Sequence, residues 1–347
     1  MKALVLAEYK HLEMRDRPAP VPRADEVLIR VAACGICGSD VHGYDGSTGR
    51  RIPPIVMGHE AAGTVAAVGA EASRFKPGDR VTFDSTIYCG ACHFCRNGRV
   101  NLCDRREVVG VSCGDYARDG AFAEFVAVPE RIVYGLPGQM PFAEAAMLEA
   151  VSVALHAVAV SHVAAESTAL VIGAGMIGLL TLQAAKAAGC SRVFVADIDA
   201  TRLALAQRLG ATETILSSAQ DPVSECKRLT DGMGVDVVYE AVGREETIHT
   251  AIDAVRKGGT VTLIGNITPT VAIPLQKVVS RELRLQGTAA SAGEYPRAIE
   301  LVSSGTIQVK PLITATAPLE QGPAWFERLY AREPNLMKVV LSPEVQA

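Results

Sequence analysis

A glycine-rich turn between an apolar strand and an apolar helix places the strongest constraint on how this chain folds. It lies in the stretch TALVIGAGMIGLLTLQAAKAAGCSRVFVADID, where Gly173, Gly175 and Gly178 form the pattern G-x-G-x-x-G. The first glycine permits a tight turn, the second lets a pyrophosphate approach the backbone, and the third lets helix and strand pack closely. The helix N-terminus then faces the phosphate. The pattern, which includes Ile177, predicts a dinucleotide site; the alternative is an ordinary parallel-sheet crossover.

An acidic residue at the end of the second strand favours the dinucleotide interpretation. Asp197 follows the fingerprint by about 20 residues, where a carboxylate accepts hydrogen bonds from the adenosine ribose hydroxyls. A negative charge at this position would repel the additional phosphate of NADP. The sequence therefore predicts NAD as the cofactor.

Strand-like and helix-like runs alternate after this point. The sequence predicts strands at TETIL, VDVVYEAVG, TVTLIGN and LRLQGTA, and helices at DPVSECKRLTDG and at REETIHTAIDAVRKGG, which is expected to end at its glycine pair. Strands separated by helices predict an α/β fold with a doubly wound parallel sheet. The first ~145 residues consist instead of short β-rich runs punctuated by glycine and proline. Two domains follow, as the length of 347 residues also favours.

Four cysteines crowd into the stretch YCGACHFCRNGRVNLC. Cys89, Cys92, Cys95 and Cys103 have the spacing C-x2-C-x2-C-x7-C. The N-terminal sequence reaches charged residues too early for a signal peptide, so we expect a cytoplasmic protein whose thiols stay reduced. Close thiolate pairs joined by tight turns bind tetrahedral zinc, and four protein ligands leave no position for a substrate. The spacing predicts a structural zinc; the alternative is four separate structural thiols.

A second set of zinc-binding residue types lies in the stretches AACGICGSDVH and VMGHEAAGTVAAVG. They contain Cys37, His59 and Glu60, one each of the thiolate, imidazole and carboxylate groups. A catalytic zinc needs three such ligands and an open position. Each residue alone has a simpler explanation: Cys37 as half of a redox pair with Cys34, His59 as a structural histidine, and Glu60 as a solvated charge. Their conjunction favours a catalytic zinc.

Composition and charge exclude several classes of partner. The net charge of −4 argues against nucleic acids and anionic membranes, which require a basic stripe. We expect no apolar run to reach the length of a membrane span, since AVSVALHAVAVSHVAA is interrupted by serines and histidines. A small-molecule substrate is the expected partner.

Taken in order, these motifs resemble those of the zinc-dependent medium-chain dehydrogenases, almost from end to end. The chain carries CGICGSD, GHEAAGTVAAVG, the four-cysteine stretch and VIGAGMIG in that family's order. The resemblance implies a GroES-like catalytic domain at 1–147, completed by 293–347, and a Rossmann NAD-binding domain at 148–292. It also implies two zinc ions per chain, with the four-cysteine zinc remote from the chemistry. We expect a homodimer or a homotetramer.

Within the family, the details resemble sorbitol and other polyol dehydrogenases, and the whole pattern resembles galactitol-1-phosphate dehydrogenase. Glu149 stands in MLEAVSVALHA, where alcohol dehydrogenases have a second cysteine ligand and polyol dehydrogenases a glutamate that approaches the zinc directly or through water. Arg202, shortly after Asp197, is a further candidate cofactor-binding residue, since the stretch DATRLALA also resembles NAD-dependent polyol enzymes. Ala150 departs from the proline usual after this glutamate, and L-threonine 3-dehydrogenase is the nearest alternative. Helical spacing alone predicts a solvent-facing polar stripe of Glu149, Ser152 and His156.

The predicted function is hydride transfer from a secondary hydroxyl of a polyol, free or phosphorylated, to NAD. Cys37 and His59, with Glu60 or Glu149, are expected to hold a zinc ion that acidifies the substrate hydroxyl. The resemblance implies that the proton leaves through Ser39 and then His42, by way of the cofactor ribose, although His42 has the alternative of a plain surface histidine. The predicted catalytic residues are Ser39, His42, Glu60 and Glu149.

Four further hypotheses are open to discrimination. The loop GYDGSTGRRIPP sets Arg50 and Arg51 near the relay residues, and paired guanidinium groups bind phosphate; the alternative is solvated surface. A non-catalytic zinc and nucleotide-binding protein would lack Cys37 or His59, and a zinc-free quinone or enoyl reductase would lack the four-cysteine stretch. A thiol oxidoreductase would have no need of the G-x-G-x-x-G turn. The dehydrogenase interpretation accounts for all the motifs together.

Overall fold

The chain leaves its first structural unit at Glu149 and returns to it at Ser291 in the computed structural model, which describes residues 1–343. The second unit comprises Ala150–Ala290 and Ser304–Gln308, and the first contains the remaining described residues. Boundaries at 147/148 and 292/293 stay a prediction. The predicted contribution of 344–347 to the first domain lies outside the described residues.

The first unit is built mainly from short antiparallel strands. Its strands are β1 (Lys2–Glu8), β2 (His11–Asp16), β3 (Glu26–Gly35), β4 (Ile55–Val56), β5 (Glu60–Val68), β6 (Arg80–Phe83), β7 (Thr86–Ile87), β8 (Glu107–Val108), β9 (Val111–Ser112), β10 (Ala117–Arg118), β11 (Phe125–Pro129), β12 (Val133–Gly135), β19 (Ile313–Pro318) and β20 (Lys338–Ser342). Its helices are α1 (Gly38–Gly43), α2 (His93–Arg96), α3 (Phe142–Ala145), α10 (Tyr295–Ser303) and α11 (Gly322–Tyr330).

A seven-stranded sheet organises this unit. Its order is β12-β6-β5-β3-β20-β19, and β11 also pairs with β3. The last strand, β20, runs antiparallel to β3, with Val340 opposite Gly35 and Leu341 opposite Cys34. The C-terminal segment therefore completes the sheet that begins the chain. A continuous apolar core, which includes Phe83, Phe122 and Phe326, fills the space between the strands and α11.

The second unit is a parallel sheet with helical crossovers. Its strands are β13 (Thr168–Ile172), β14 (Arg192–Asp197), β15 (Glu213–Leu216), β16 (Val235–Glu240), β17 (Val255–Leu263) and β18 (Arg284–Gly287). The crossover helices are α5 (Met176–Ala187), α6 (Ala200–Arg208), α7 (Pro222–Leu229), α8 (Glu245–Ala254) and α9 (Leu275–Ser280), and α4 (Leu148–Val160) leads into the unit. The strand order β15-β14-β13-β16-β17-β18 is that of a Rossmann sheet, whose chain reversal lies between β13 and β16.

Two sequence expectations differ from the structure. Helix α8 ends at Ala254 rather than at the glycine pair, because Val255 already pairs with Val235 as the first residue of β17. The stretch Phe142–Val160 is long and apolar enough, by length and composition, to cross a membrane, contrary to the expectation from sequence. More than half of it is buried inside the fold, a property that it shares with the core helices of globular proteins.

Candidate catalytic zinc centre and nucleotide site

Sheet pairing brings the candidate zinc ligands together. Strand β3 ends at Gly35, which lies opposite Glu60 in the antiparallel register with β5. Cys37 follows two residues later, directly before α1, and His59 immediately precedes Glu60. One potential ligand atom from each of Cys37, His59 and Glu60 lies within 4.8 Å of the other two.

This group has the donor chemistry of a catalytic zinc site. Thiolate, imidazole and carboxylate are the three side-chain types that bind zinc in such sites. His59 and Glu60 are buried, whereas Cys37 is partly exposed, so the group is open on one side. Glu60 Oε1 is buried with no hydrogen-bond partner, as expected of an atom reserved for a ligand. The three residues therefore fit a zinc ion with an open position.

Asp40 supports this group from behind, and the sequence analysis did not identify it. Its carboxylate is fully buried, accepts a hydrogen bond from the backbone N–H of Cys37 at 3.2 Å and lies 3.4 Å from His59 Nδ1. Burial alone would raise the pKa of Asp40, but the charges of His59 and Arg51 outweigh it and hold the pKa well below its usual range. The sequence feature that could have identified Asp40 is its place at the end of CGICGSD, immediately after Ser39.

The neighbours of His59 favour the protonated form of its ring. Burial would lower the pKa of His59, but the neighbouring Asp40 and Cys37 raise it well above its ordinary value. Metal ligands bind in their deprotonated forms, so metal uptake here must release protons.

Lys338 neutralises the buried carboxylate of Glu60. Its Nζ lies 2.5 Å from Glu60 Oε2 and donates to the carbonyl of Ile36 at 3.0 Å. Burial would lower the pKa of Lys338, but the Glu60 carboxylate raises it, so the ammonium stays protonated. Sequence reasoning missed this pair, since a lysine in NLMKVVLS gives no local sign of meeting a glutamate 278 positions earlier.

Glu149 lies outside the three-residue group but close enough to interact with it. Its Oε1 is 3.5 Å from Ser85 Oγ. The pKa of Glu149 is raised to about 7 by all its surroundings together. Loss of solvation is the largest cause, the positive charge of His59 opposes it, and the carboxylates of Glu60 and Asp84 add to it. The solvent-facing polar stripe is wrong, because the other two members, Ser152 and His156, are buried.

The predicted relay residues lie on α1, beside the zinc group. Ser39 Oγ is 3.5 Å from His59 Nε2, and Ser39 is exposed. His42 follows one helical turn later and is also exposed. Ser39 therefore contacts a candidate zinc ligand, while a role for His42 in the relay stays a prediction.

The structure separates the two neighbouring arginines. Arg50 is exposed, whereas Arg51 is buried with its Nη2 2.8 Å from Asp40 Oδ1. Arg51 is therefore committed to a carboxylate and is not available to bind a substrate phosphate. The hypothesis of a paired-guanidinium phosphate site is wrong for this reason.

The four cysteines of the predicted structural site form one cluster. Sγ atoms of Cys89, Cys92, Cys95 and Cys103 all lie within 4.8 Å of one another. The Sγ atoms of Cys92 and Cys95 lie 3.5 Å apart and those of Cys89 and Cys95 lie 3.9 Å apart, far longer than the ~2.05 Å of a disulfide bond. Backbone N–H groups of Ala91 and Cys92 donate to Cys89 Sγ, and they lower the pKa of Cys89 to about 5. Four cysteine sulfurs this close together fit a closed tetrahedral zinc site.

The second unit supplies a nucleotide-binding turn at the carboxyl end of β13. Gly173 has a φ of +98°, a left-handed conformation that favours glycine. A Cβ at Gly178 would overlap the carbonyl oxygen of Gly173, which explains the close packing of helix on strand. A Cβ at Gly175 would meet no atom within 4 Å, so this side of the turn is open. Ile177 lies in the first turn of α5.

Asp197 is fixed at the end of β14, next to this turn. Its Oδ2 accepts from Ala174 N at 2.5 Å and its Oδ1 accepts from Asp199 N at 2.9 Å. The carboxylate is thus held against the glycine turn with lone pairs left for further donors. Arg202 lies on α6, with its Nε 3.6 Å from the Asp199 carboxylate.

Comparisons with known proteins agree with this geometry. Residues 23–138 match the alcohol dehydrogenase GroES-like domain, and residues 177–304 match the zinc-binding dehydrogenase domain. The sorbitol dehydrogenase of Bacillus subtilis (strain 168) is 35% identical over 99% of this chain and 97% of its own length. A putative zinc-binding dehydrogenase from Sinorhizobium meliloti 1021, bound to NADP, has a TM-score of 0.90 at 34% identity, covering 99% of both chains.

Galactitol-1-phosphate dehydrogenase from Escherichia coli has a TM-score of 0.91 at 27% identity and covers 99% of this chain and all of its own. The protein is an oxidoreductase: the chain belongs to the zinc-type alcohol dehydrogenase family of medium-chain dehydrogenases. The predicted family and the predicted fold class, a GroES-like domain with a Rossmann domain, are confirmed.

Proposed function

We propose that this protein transfers a hydride from a secondary hydroxyl of a polyol to NAD. The observation that carries the proposal is the convergence of Cys37, His59 and Glu60 in one open, partly buried group. Relatives of similar length include a sorbitol dehydrogenase and a galactitol-1-phosphate dehydrogenase. A free polyol is the preferred substrate, because Arg51 is occupied by Asp40.

Each residue of the site has a role in this reaction. Cys37, His59 and Glu60 would hold the zinc ion, and Glu149 would accept hydrogen bonds beside it. Bound zinc supplies Lewis-acid polarisation of the substrate hydroxyl, and bound NAD accepts the hydride. Ser39 Oγ accepts the substrate hydroxyl proton as its own proton passes outward toward His42.

We propose NAD rather than NADP as the cofactor. Gly173, Gly175, Ile177 and Gly178 would form the pyrophosphate turn. Asp197 would accept from the ribose hydroxyls, and its charge opposes a phosphate at that position, with Arg202 engaged by Asp199. The NADP-bound relative makes this a question for experiment.

The remaining proposals concern metal content and association. Cys89, Cys92, Cys95 and Cys103 would hold a second, structural zinc ion, which gives two per chain. We expect copies of the chain to associate as a homodimer or homotetramer, which light scattering at several concentrations would measure. A cytoplasmic location and the lack of nucleic-acid or membrane partners stay predictions.

A substrate panel tests the proposed function. The zinc-loaded protein is assayed with polyols, their phosphates and L-threonine, and NADH or NADPH formation is followed by absorbance. We expect the highest kcat/KM with a free polyol and NAD, and loss of that activity in Cys37→Ala. A preference for L-threonine would assign the alternative dehydrogenase activity. Cofactor binding without turnover of any alcohol would favour a non-catalytic nucleotide-binding protein.

A further inference from the structure

Arg51 is a buried guanidinium whose side-chain partners include two residues beside the zinc group, Asp40 and Ser39. Its side chain is 4% exposed, and its Nε and Nη2 lie 3.2 and 2.8 Å from Asp40 Oδ1. The same Nη2 is 3.4 Å from Ser39 Oγ. One planar group therefore contacts both the carboxylate behind His59 and the hydroxyl of the relay.

The surrounding chain holds this side chain in one place. The backbone of Arg51 forms a β-bridge with Ser112, and its Nη1 donates to the carbonyl of Arg50 at 2.9 Å. Gly43, at the end of α1, leaves room for the side chain, because a Cβ there would overlap Cγ of Arg51. A buried arginine with a fixed backbone and a fixed stem has little freedom to serve an incoming substrate.

Asp40 connects Arg51 to two of the candidate ligands, Cys37 and His59. It accepts from Cys37 N with Oδ2, and its Oδ1 lies beside His59 Nδ1. At 3.4 Å the contact is electrostatic, since His59 Nδ1 has no hydrogen-bond partner by geometry, and a carboxylate beside one ring nitrogen favours one orientation and one tautomer of a metal-binding histidine. The other ring nitrogen, Nε2, faces Ser39 Oγ at 3.5 Å.

We propose that Arg51 is a positioning residue that sets the orientation of His59 through Asp40 and that of the Ser39 hydroxyl directly. This role rests on the proposed function, since it assumes a zinc ion held by Cys37 and His59. It depends on the fork of the guanidinium, because two nitrogen atoms contact Asp40 while one of them also reaches Ser39. A lysine ammonium is a point charge and cannot reproduce that geometry.

Zinc release to a chromophoric chelator from the full-length, zinc-loaded protein tests the role. The tested variant is Arg51→Lys, which keeps the positive charge, whereas Arg51→Gln would remove the guanidinium from the buried Asp40 carboxylate and threatens folding. The matched control is Arg50→Lys, the same exchange at the exposed neighbour. The four-cysteine cluster is an internal control within every sample.

In the native protein we expect two classes of zinc, one of which is absent in Cys37→Ala. Arg51→Lys should weaken the class assigned to Cys37 by about 10- to 100-fold and leave the four-cysteine class unchanged. It should also lower kcat with little change in the KM for NAD. Arg50→Lys should change both classes by less than about threefold.

Three other results would overturn the role. If Arg51→Lys and Arg50→Lys release zinc alike, Arg51 does not position the centre, while the proposed function stands. If Arg51→Lys loosens both classes equally, Arg51 stabilises the first unit in general and has no specific role. If the native protein holds no zinc that depends on Cys37, the proposed function fails and this role fails with it.

Discussion

Asp84 and Glu149 are two carboxyl groups whose surroundings oppose ionisation. Asp84 is 5% exposed, accepts from Thr86 N at 2.8 Å and from Ser291 Oγ at 3.2 Å, and burial raises its pKa to about 6. Glu149 has a pKa raised to about 7 for the same first reason. Glu149 lies near the zinc group, whereas Asp84 links β6 to the point at which the chain returns at Ser291. Burial therefore raises the pKa of a carboxyl beside the candidate zinc group and of one whose ionisation should affect stability.

Asp84→Asn should show how much stability the protein loses when the buried Asp84 carboxyl ionises, as a function of pH. The folded-state pKa of Asp84 lies above its ordinary value of 3.8, so its contribution to stability is complete below pH ~4 and is lost as the pH rises through about 6. The loss amounts to about 3 kcal/mol. Relative to the native protein, the variant should gain unfolding free energy by that amount between pH ~4 and ~7. Urea unfolding of both proteins across this range measures the difference, and a constant difference would contradict the assigned pKa.

Glu149→Gln should separate catalysis from stability. A carboxyl beside the zinc group contributes its charge and its acceptor lone pairs, which the amide only partly replaces. We expect kcat to fall by about tenfold or more. At pH ~4, where the Glu149 carboxyl is protonated in both the folded and the unfolded state, the unfolding free energy should change by less than about 1 kcal/mol. Glu144→Gln on α3 is the control, and kinetics equal to those of the control would remove Glu149 from the active site.

At the scale of elements, strand ends and tight turns position the chemistry. Cys37 follows β3, Glu60 begins β5, and Asp197 ends β14. The glycine fingerprint and the cysteine spacing could be predicted from sequence because each depends on residues close together in the chain. The end of α8 could not, since Val255 joins β17 through pairing with Val235, a contact between distant residues.

Asp197→Ala tests the role of the β14 end in cofactor choice. Removal of the carboxylate deletes both the ribose acceptor and the charge that repels a phosphate. We expect weaker NAD binding and a smaller ratio of NAD to NADP affinity, measured by fluorescence titration of each reduced cofactor. Thermal unfolding provides the control, because Asp197 also accepts from Ala174 N and its loss could loosen the turn. Equal use of both cofactors by the native protein would contradict the assignment.

At the scale of the whole molecule, the candidate zinc group depends on residues from the N-terminal part of the chain and on Lys338 near its C-terminus. The alternation of strands and helices predicted the Rossmann sheet, and family motifs predicted the ligands. The partner of Glu60 could not be predicted, because Lys338 reaches it only after β20 inserts beside β3. The ion pair between Asp40 and Arg51 was not predicted for a related reason. Local patterns show residue type and spacing, whereas buried ion pairs depend on tertiary packing. The buried partners of these charged residues therefore become known only from the three-dimensional structure.

The two groups of candidate ligands should each bind one zinc ion, one for catalysis and one for stability. Counting zinc by elemental analysis tests this most directly. The native chain should hold two zinc ions, one for each cluster of ligands. Cys37→Ala should hold one, with no dehydrogenase activity and nearly native thermal stability. Cys89→Ser should lose the other and unfold at a lower temperature, because a structural site contributes to folding. A native protein with a single zinc ion that is unaffected by Cys37→Ala would contradict the account.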